Sequence, residues 1–183
     1  MFFCNFKNVF IKAAKDILTD DVVQYRSQSL LKNSIQTSGN VFNQIDSLTD
    51  QMQSIIHSEL EKYRIRFEGS KEGLIKSWPK DYSLNGWIVS MKSGGAIAPH
   101  IHETGWISGS IYINVPPKLK TESGNLVVTT DDNKNKNKNK KRKSLDVVTG
   151  SLCLFPSSML HYTVPFEADE DRIVLAFDMF PKS

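Results

Sequence analysis

The chain has only two cysteines, Cys4 and Cys153, far apart in sequence and in no CxxC pairing. That excludes a zinc ribbon and a disulfide-stapled scaffold, and it reads as two reduced thiols in an intracellular protein. No apolar run approaches the roughly 20 residues that a helix needs to cross a bilayer, so no membrane segment is expected. The start, MFFCNFKNVFIKAAKD, is apolar first and basic second. A secretory signal has the reverse order and a small-residue cleavage site. No internal repeat is visible along the 183 residues, a length that suits one domain, or one domain with a helical cap.

Basic charge is also missing from most of the chain, although the formal net charge is +3. The run 131–143, DDNKNKNKNKKRK, carries seven basic and two acidic side chains, which leaves 16 Lys/Arg against 18 Asp/Glu elsewhere. The rest of the chain is therefore slightly acidic, which argues against a nucleic-acid surface. The run itself reads as a solvated, disordered loop insertion, while its KNKKRK end also suits a nuclear-import signal. A cytoplasmic protein is expected, with a nuclear one as the alternative.

Hydrophobic periodicity divides what remains. The first ~80 residues read as helical. The spacing predicts a helix over 48–64, where Leu48, Met52, Ile55, Ile56, Leu60 and Tyr63 form one apolar stripe broken by Glu59. Ser47 suits its N-cap, with Asp50 three residues on. A weaker helix is expected over 20–35. His57, beside the stripe, reads as a boundary residue without a role.

From Gly86 the period becomes two. Strands are expected at 86–95, closed by a glycine turn, and at 106–115, 125–130, 144–155, 161–166 and 172–180. Short strands with frequent turns and no intervening helix suggest an antiparallel jelly roll or small barrel, with the helices packed on one outer sheet face. The expected organisation is a helical supporting region, 1–80, before a β core, 81–183, with 131–143 inserted between two strands.

The chain holds four histidines, and three of them point to chemistry. In PHIHETGW, His100 and His102 lie two residues apart, so on an extended chain their rings emerge on one face with Cα atoms roughly 6–7 Å apart. HxH alone also occurs by chance and in zinc, copper or nickel sites. His161 follows about sixty residues on, after FPSSML, on a strand that a jelly roll can lay beside the first. Imidazole suits iron, zinc, copper and nickel alike. Ten residues further stands Arg172, whose planar fork can grip a carboxylate in a bidentate pair. An ion pair with Asp169 or Asp171 is the other reading of that arginine. On 106–115, Ser108, Ser110, Tyr112 and Asn114 share one face and Ile107, Ile111, Ile113 and Val115 the other, so this strand either lines a polar cavity or meets solvent. Trp87 and Trp106 flank the HxH strand, as cavity cover or as core.

The segments GWIVSMKSGG, PHIHETGWISGSIYINVP, SGNLVV, GSLCLFPSSMLHYTVPF and DRIVLAFD together resemble the 2-oxoglutarate and iron(II)-dependent oxygenases, in particular the group often found as the last domain of tetratricopeptide-repeat proteins. QTSGNVF (36–42) is similar to the segment that precedes the catalytic barrel in that group. The resemblance implies a mainly β fold with N-terminal helices: a double-stranded β-helix, jelly-roll and cupin-like, with the helices on one sheet. It implies Fe(II) as metal, 2-oxoglutarate and O2 as co-substrates, and hydroxylase-type oxidation of a substrate that the sequence does not name. His100 and His161 take the two histidine positions of the metal triad, and Arg172 holds the distal carboxylate of 2-oxoglutarate, helped by Tyr112, with Ser110 and Asn114 in the cavity wall. No catalytic residue beyond this site is expected. His102 stands where the superfamily usually has Asp or Glu, which leaves the site one negative charge poorer. Glu103 is the alternative ligand, available only if a bulge re-aims it. Two other readings stay open: a jelly roll that binds a metal or small acid without turnover, and a three-histidine iron dioxygenase independent of 2-oxoglutarate.

Overall fold

A computed structural model of the chain describes residues 2–20, 23–26, 28–43, 47–130 and 142–182. Helix α1 (Phe2–Thr19) comes first, then strand β1 (Leu31–Gln36) and a short 3-10 turn (Val41–Asn43). Helices α2 (Ser47–Arg66) and α3 (Gly73–Lys76) follow. Seven more strands follow among the described residues: β2 (Tyr82–His100), β3 (Ile107–Asn114), β4 (Leu126–Thr129), β5 (Arg142–Leu145), β6 (Leu152–Pro156), β7 (Leu160–Thr163) and β8 (Arg172–Pro181). Every strand pair is antiparallel, in the order β5-β4-β7-β2-β8-β3-β6.

The 19-residue β2 makes this a double-stranded β-helix. Its first half, Tyr82–Met91, pairs with β8 in the same layer as β3 and β6. Its second half pairs with β7, at Ile97↔Thr163 and His100↔His161, in the layer with β4 and β5. The strand crosses between layers at Lys92–Gly95. Gly94 has φ 76° there, and a Cβ on Gly95 would sit 2.6 Å from the Lys92 carbonyl oxygen, so both positions need glycine. The glycines expected to close the strand bend it instead.

Alternation along β8 shows how the layers are used. Ile173, Leu175, Phe177 and Met179 are buried in one core with Phe10 and Ala14 of α1 and Met52, Ile56 and Leu60 of α2. Arg172, Val174, Ala176 and Asp178 face a cavity between the two β layers. The helices therefore cover one sheet, as expected. On α2 the buried stripe is Met52, Ile56 and Leu60, while Ile55 is 40% exposed. The side chains of Ser47 and Leu48 lie outside the described residues.

Three sequence expectations are corrected. No helix covers the described residues of 20–35: 31–36 is strand β1, paired with β2 from Gln36↔Val89 to Leu31↔Ile97, with an irregularity at Asn33. The free edge of β2 offers its backbone a ladder that outweighs a weak local helical preference. The strand over 144–155 is two, β5 and β6, separated by a turn whose Gly150 has φ 88°. Arg142 and Lys143, assigned to the disordered insertion, pair with Thr129 and Val128 in the β4–β5 ladder, and 131–141 lie outside the described residues.

Candidate active site

The cavity between the layers has a volume of about 680 Å³, ample for a small co-substrate and part of a larger molecule. His100, His102, His161, Tyr112, Ser110 and Arg172 all line it.

β2 and β7 carry the first two histidines. His100 is the last residue of β2, and the ladder places it directly opposite His161. His102 lies beyond the strand end, held by its N–H donating to the Ser157 carbonyl at 3.0 Å. One nitrogen from each of the three rings lies within 4.8 Å of the others. Ring centroids are 5.1 Å apart for His100–His102, 4.2 Å for His100–His161 and 4.9 Å for His102–His161.

Each ring is tied by its Nδ1. His100 meets the Ala98 carbonyl at 2.9 Å, His161 the Met159 carbonyl at 3.0 Å, and His102 the Asp178 carboxylate at 2.7 Å. Carbonyl and carboxylate oxygens only accept, so Nδ1–H is the donor in each ring and Nε2 keeps its lone pair. Burial, with the neighbouring imidazoles, pushes His161 down to about 3, and burial lowers His100 as well. Both stay neutral at pH 7, the form that binds a metal. The donor set thus fits a divalent transition metal.

At the far side of the cavity, Arg172 is 1% exposed at the start of β8. Its guanidinium lies 5.1 Å from the Tyr112 ring centroid, and Nη1 donates to the Gly124 carbonyl. No carboxylate pairs with it among the described residues, which removes the ion-pair reading, and its buried Nε–H has no partner. Burial lowers the pKa of Arg172 and raises that of Tyr112. An unpaired buried cation costs several kcal/mol unless an anion joins it.

The polar face of β3 lines the cavity at Ser108, Ser110 and Tyr112 but not at Asn114. The β3–β8 register shifts between Tyr112 and Asn114, and the Asn114 amide donates to the Asp171 carbonyl at 2.8 Å instead. Asn114 is therefore not in the cavity wall. Glu103 is exposed in the loop after His102 and is not part of the histidine cluster. The β2–β7 register does shift between Ile97 and His100, but Glu103 lies past the strand and is not turned into the cluster. Trp87 lines the cavity, its ring 5.6 Å from His102, while Trp106 packs on the helix-side core. His57 meets the Tyr82 hydroxyl at 2.8 Å and does not line the cavity.

Two features went unread in the sequence. Asp178 shares the cavity face of β8 with Arg172, six residues earlier. The even spacing held that signal. QTSGNVF has a physical role as well. Thr37 exchanges hydrogen bonds with the Ile88 backbone, and Asn40 bridges the Leu84 carbonyl and the Gly86 N–H. The segment seals the edge of β2, and its residues 36–40 form part of the cavity wall.

A two-layer β-helix holding a histidine cluster and a buried guanidinium in one cavity defines a metal-enzyme class. Residues 85–178 match the family described as "Putative 2OG-Fe(II) oxygenase", and the chain belongs to that family. It is a 2-oxoglutarate- and Fe(II)-dependent dioxygenase, with O2 as co-substrate. Solved structures share its fold at low identity. A Pseudomonas putida prolyl-4-hydroxylase is 11% identical with a TM-score of 0.65, over 98% of this chain and 88% of that one. A Trichoplax adhaerens prolyl hydroxylase, in complex with a hypoxia inducible factor peptide fragment, is 14% identical with a TM-score of 0.62, over 96% and 78%. HygX from Streptomyces hygroscopicus, with nickel and 2-oxoglutarate bound, is 10% identical with a TM-score of 0.60, over 95% and 79%. No curated protein matches the chain in sequence. No described helix is long and apolar enough to cross a membrane.

Proposed function

We propose that His100, His102 and His161 hold the Fe(II), and that Arg172, with Tyr112 and Ser110, holds 2-oxoglutarate. The observation that carries this reading is the shared cavity: three imidazoles with Nδ1 occupied and Nε2 free, together with a buried guanidinium whose Nε–H lacks a partner. Bound iron and 2-oxoglutarate supply the chemistry, oxidative decarboxylation to succinate coupled to oxidation of a substrate C–H bond.

The chain's own residues bind and orient. Arg172 presents its fork to the distal carboxylate while the Gly124 carbonyl fixes one arm and the Tyr112 ring backs the plane. Leu126, Val174 and Phe155 make that end of the cavity apolar, which excludes water and strengthens the ion pair. The primary substrate enters from the other end, past Trp87, Asn85 and residues 38–40. Asn85 lines that end of the cavity, and its buried side-chain oxygen has no partner among the described residues.

Residues 1–80 serve as a supporting region and 81–183 as the catalytic core, with 36–40 lent to the cavity wall. An intracellular, cytoplasmic setting suits the reduced thiols; Cys153 is free.

The test is Arg172→Ala. The variant is expected to keep its metal while losing 2-oxoglutarate binding in an anaerobic titration and losing succinate formation. Normal 2-oxoglutarate binding by the variant would refute the anchor assignment.

A further inference from the structure

The three-histidine face brings no negative charge to a metal dication, yet a carboxylate lies one hydrogen bond behind it. Asp178 Oδ1 accepts from His102 Nδ1 at 2.7 Å and from the Ser108 hydroxyl at 2.6 Å. Ser108 has one proton to give, so it accepts in turn from the Ser157 hydroxyl at 2.9 Å. Asp178, Ser108 and Ser157 are all buried, Ser157 completely. Gly105 makes room for the group: a Cβ there would stand 2.6 Å from Ser157 Oγ and 3.5 Å from Asp178 Cγ.

The other two histidines differ in kind. His100 and His161 donate to carbonyls two residues earlier in sequence, so their rings are set by local backbone. His102 has no such local acceptor and lies past the end of β2. Its Nδ1 meets the Asp178 carboxylate, 76 positions away, at 2.7 Å and the Ser108 hydroxyl at 3.1 Å. A buried carboxylate with a second donor and no cation beside it among the described residues is costly unless positive charge comes near. The cavity supplies that place, because Asp178 lines it.

We propose that Asp178 is the positioning residue of the metal centre: it fixes the His102 tautomer with Nε2 toward the metal and carries the negative charge that the ligand set itself lacks. This rests on the three-histidine reading above. Asp178 lies one hydrogen bond behind His102, so its charge would reach a bound metal through the His102 ring. Outer partners of this kind raise ligand basicity and fix ring orientation.

The experiment uses the metal-free chain, with Co(II) as a spectroscopic probe and nitrogen-15 NMR of the histidine rings, a sparse spectrum with four histidines. Asp178→Asn is expected to weaken Co(II) binding roughly 10–100-fold and to release the His102 tautomer, because an amide can donate to Nδ1 as well as accept. His100 and His161 should keep theirs. Ser108→Ala, which leaves the Asp178–His102 bond in place, should keep the tautomer and bind Co(II) within several-fold of the native chain. The proposal is overturned if Asp178→Asn binds Co(II) within two-fold of the native chain. It is equally overturned if all three ring signals change together, the mark of a merely structural role, or if Ser108→Ala releases the tautomer while Asp178 is intact. Unchanged Co(II) binding by His161→Ala would instead refute the three-histidine site itself.

Discussion

His100 and His161 are direct partners across the β2–β7 ladder, and their ring centroids are 4.2 Å apart. The ladder therefore sets the spacing of these two candidate ligands with backbone precision. Removing either ring by substitution to alanine should lower metal affinity by more than the roughly 10–100-fold expected for an outer partner. Isothermal titration of the metal-free variants checks this. Affinity within ten-fold of the native chain would place the metal elsewhere.

Gly124 governs the arginine from behind. Its φ is 70°, in the left-handed region, and an added Cβ would stand 2.6 Å from Arg172 Nη1. Gly124→Ala should therefore displace the guanidinium and strain the turn at once. The expected outcome is 2-oxoglutarate affinity reduced at least ten-fold with metal binding intact, measured by anaerobic titration. A variant that binds 2-oxoglutarate normally would show that the Gly124 contact does not position the fork.

On the helix side, Gly109 of β3 lies under the Phe177 ring, and a Cβ there would be 2.2 Å from Phe177 Cζ. Phe177 is fully buried in the core shared with α1 and α2, so its ring has nowhere to retreat. Gly109→Ala should lower stability by about 1–3 kcal/mol through overpacking, read as a lower urea midpoint. An unchanged midpoint would mean that this core is looser than its burial implies.

Burial holds His161 down at about 3 in the metal-free protein, against an ordinary value near 6.5 in the unfolded chain. Between those pH values the unfolded state binds more protons. Stability therefore rises with pH across that window and falls as the pH drops through it. His161 contributes a slope of up to about 1.4 kcal/mol per pH unit. Urea titrations of the metal-free chain at pH 4.5 and 7 should show the loss, and His161→Gln should show less of it. Equal slopes in the two proteins would assign the effect to another group.

Much of the site was legible because its signals are local. HxH, the later histidine and the arginine ten residues beyond it are spacings along one chain, and period-two alternation put Ser110 and Tyr112 on one polar face, which only the resemblance assigned to a cavity. The failures share a cause. Asn114 follows the same alternation but stands past a register shift, and a shift is set by the partner strand, not by the residue itself. Residues 31–36 have weak local preference and became strand because the edge of β2 needed a partner. Asp178 went unread because its role exists only where β8 passes behind the loop that carries His102.

Local pattern along the chain sets which faces are apolar, where glycine permits a turn, and which residue types are available to bind a metal and an acid. Those are properties of single residues and of short-range periodicity. The assembled fold is what carries β2 across two layers and brings His100 opposite His161. It also leaves Arg172 without a carboxylate partner among the described residues and sets a buried carboxylate behind His102. Each depends on contacts between segments tens of residues apart, and the register of a long-range ladder, which no local spacing encodes, chooses among them.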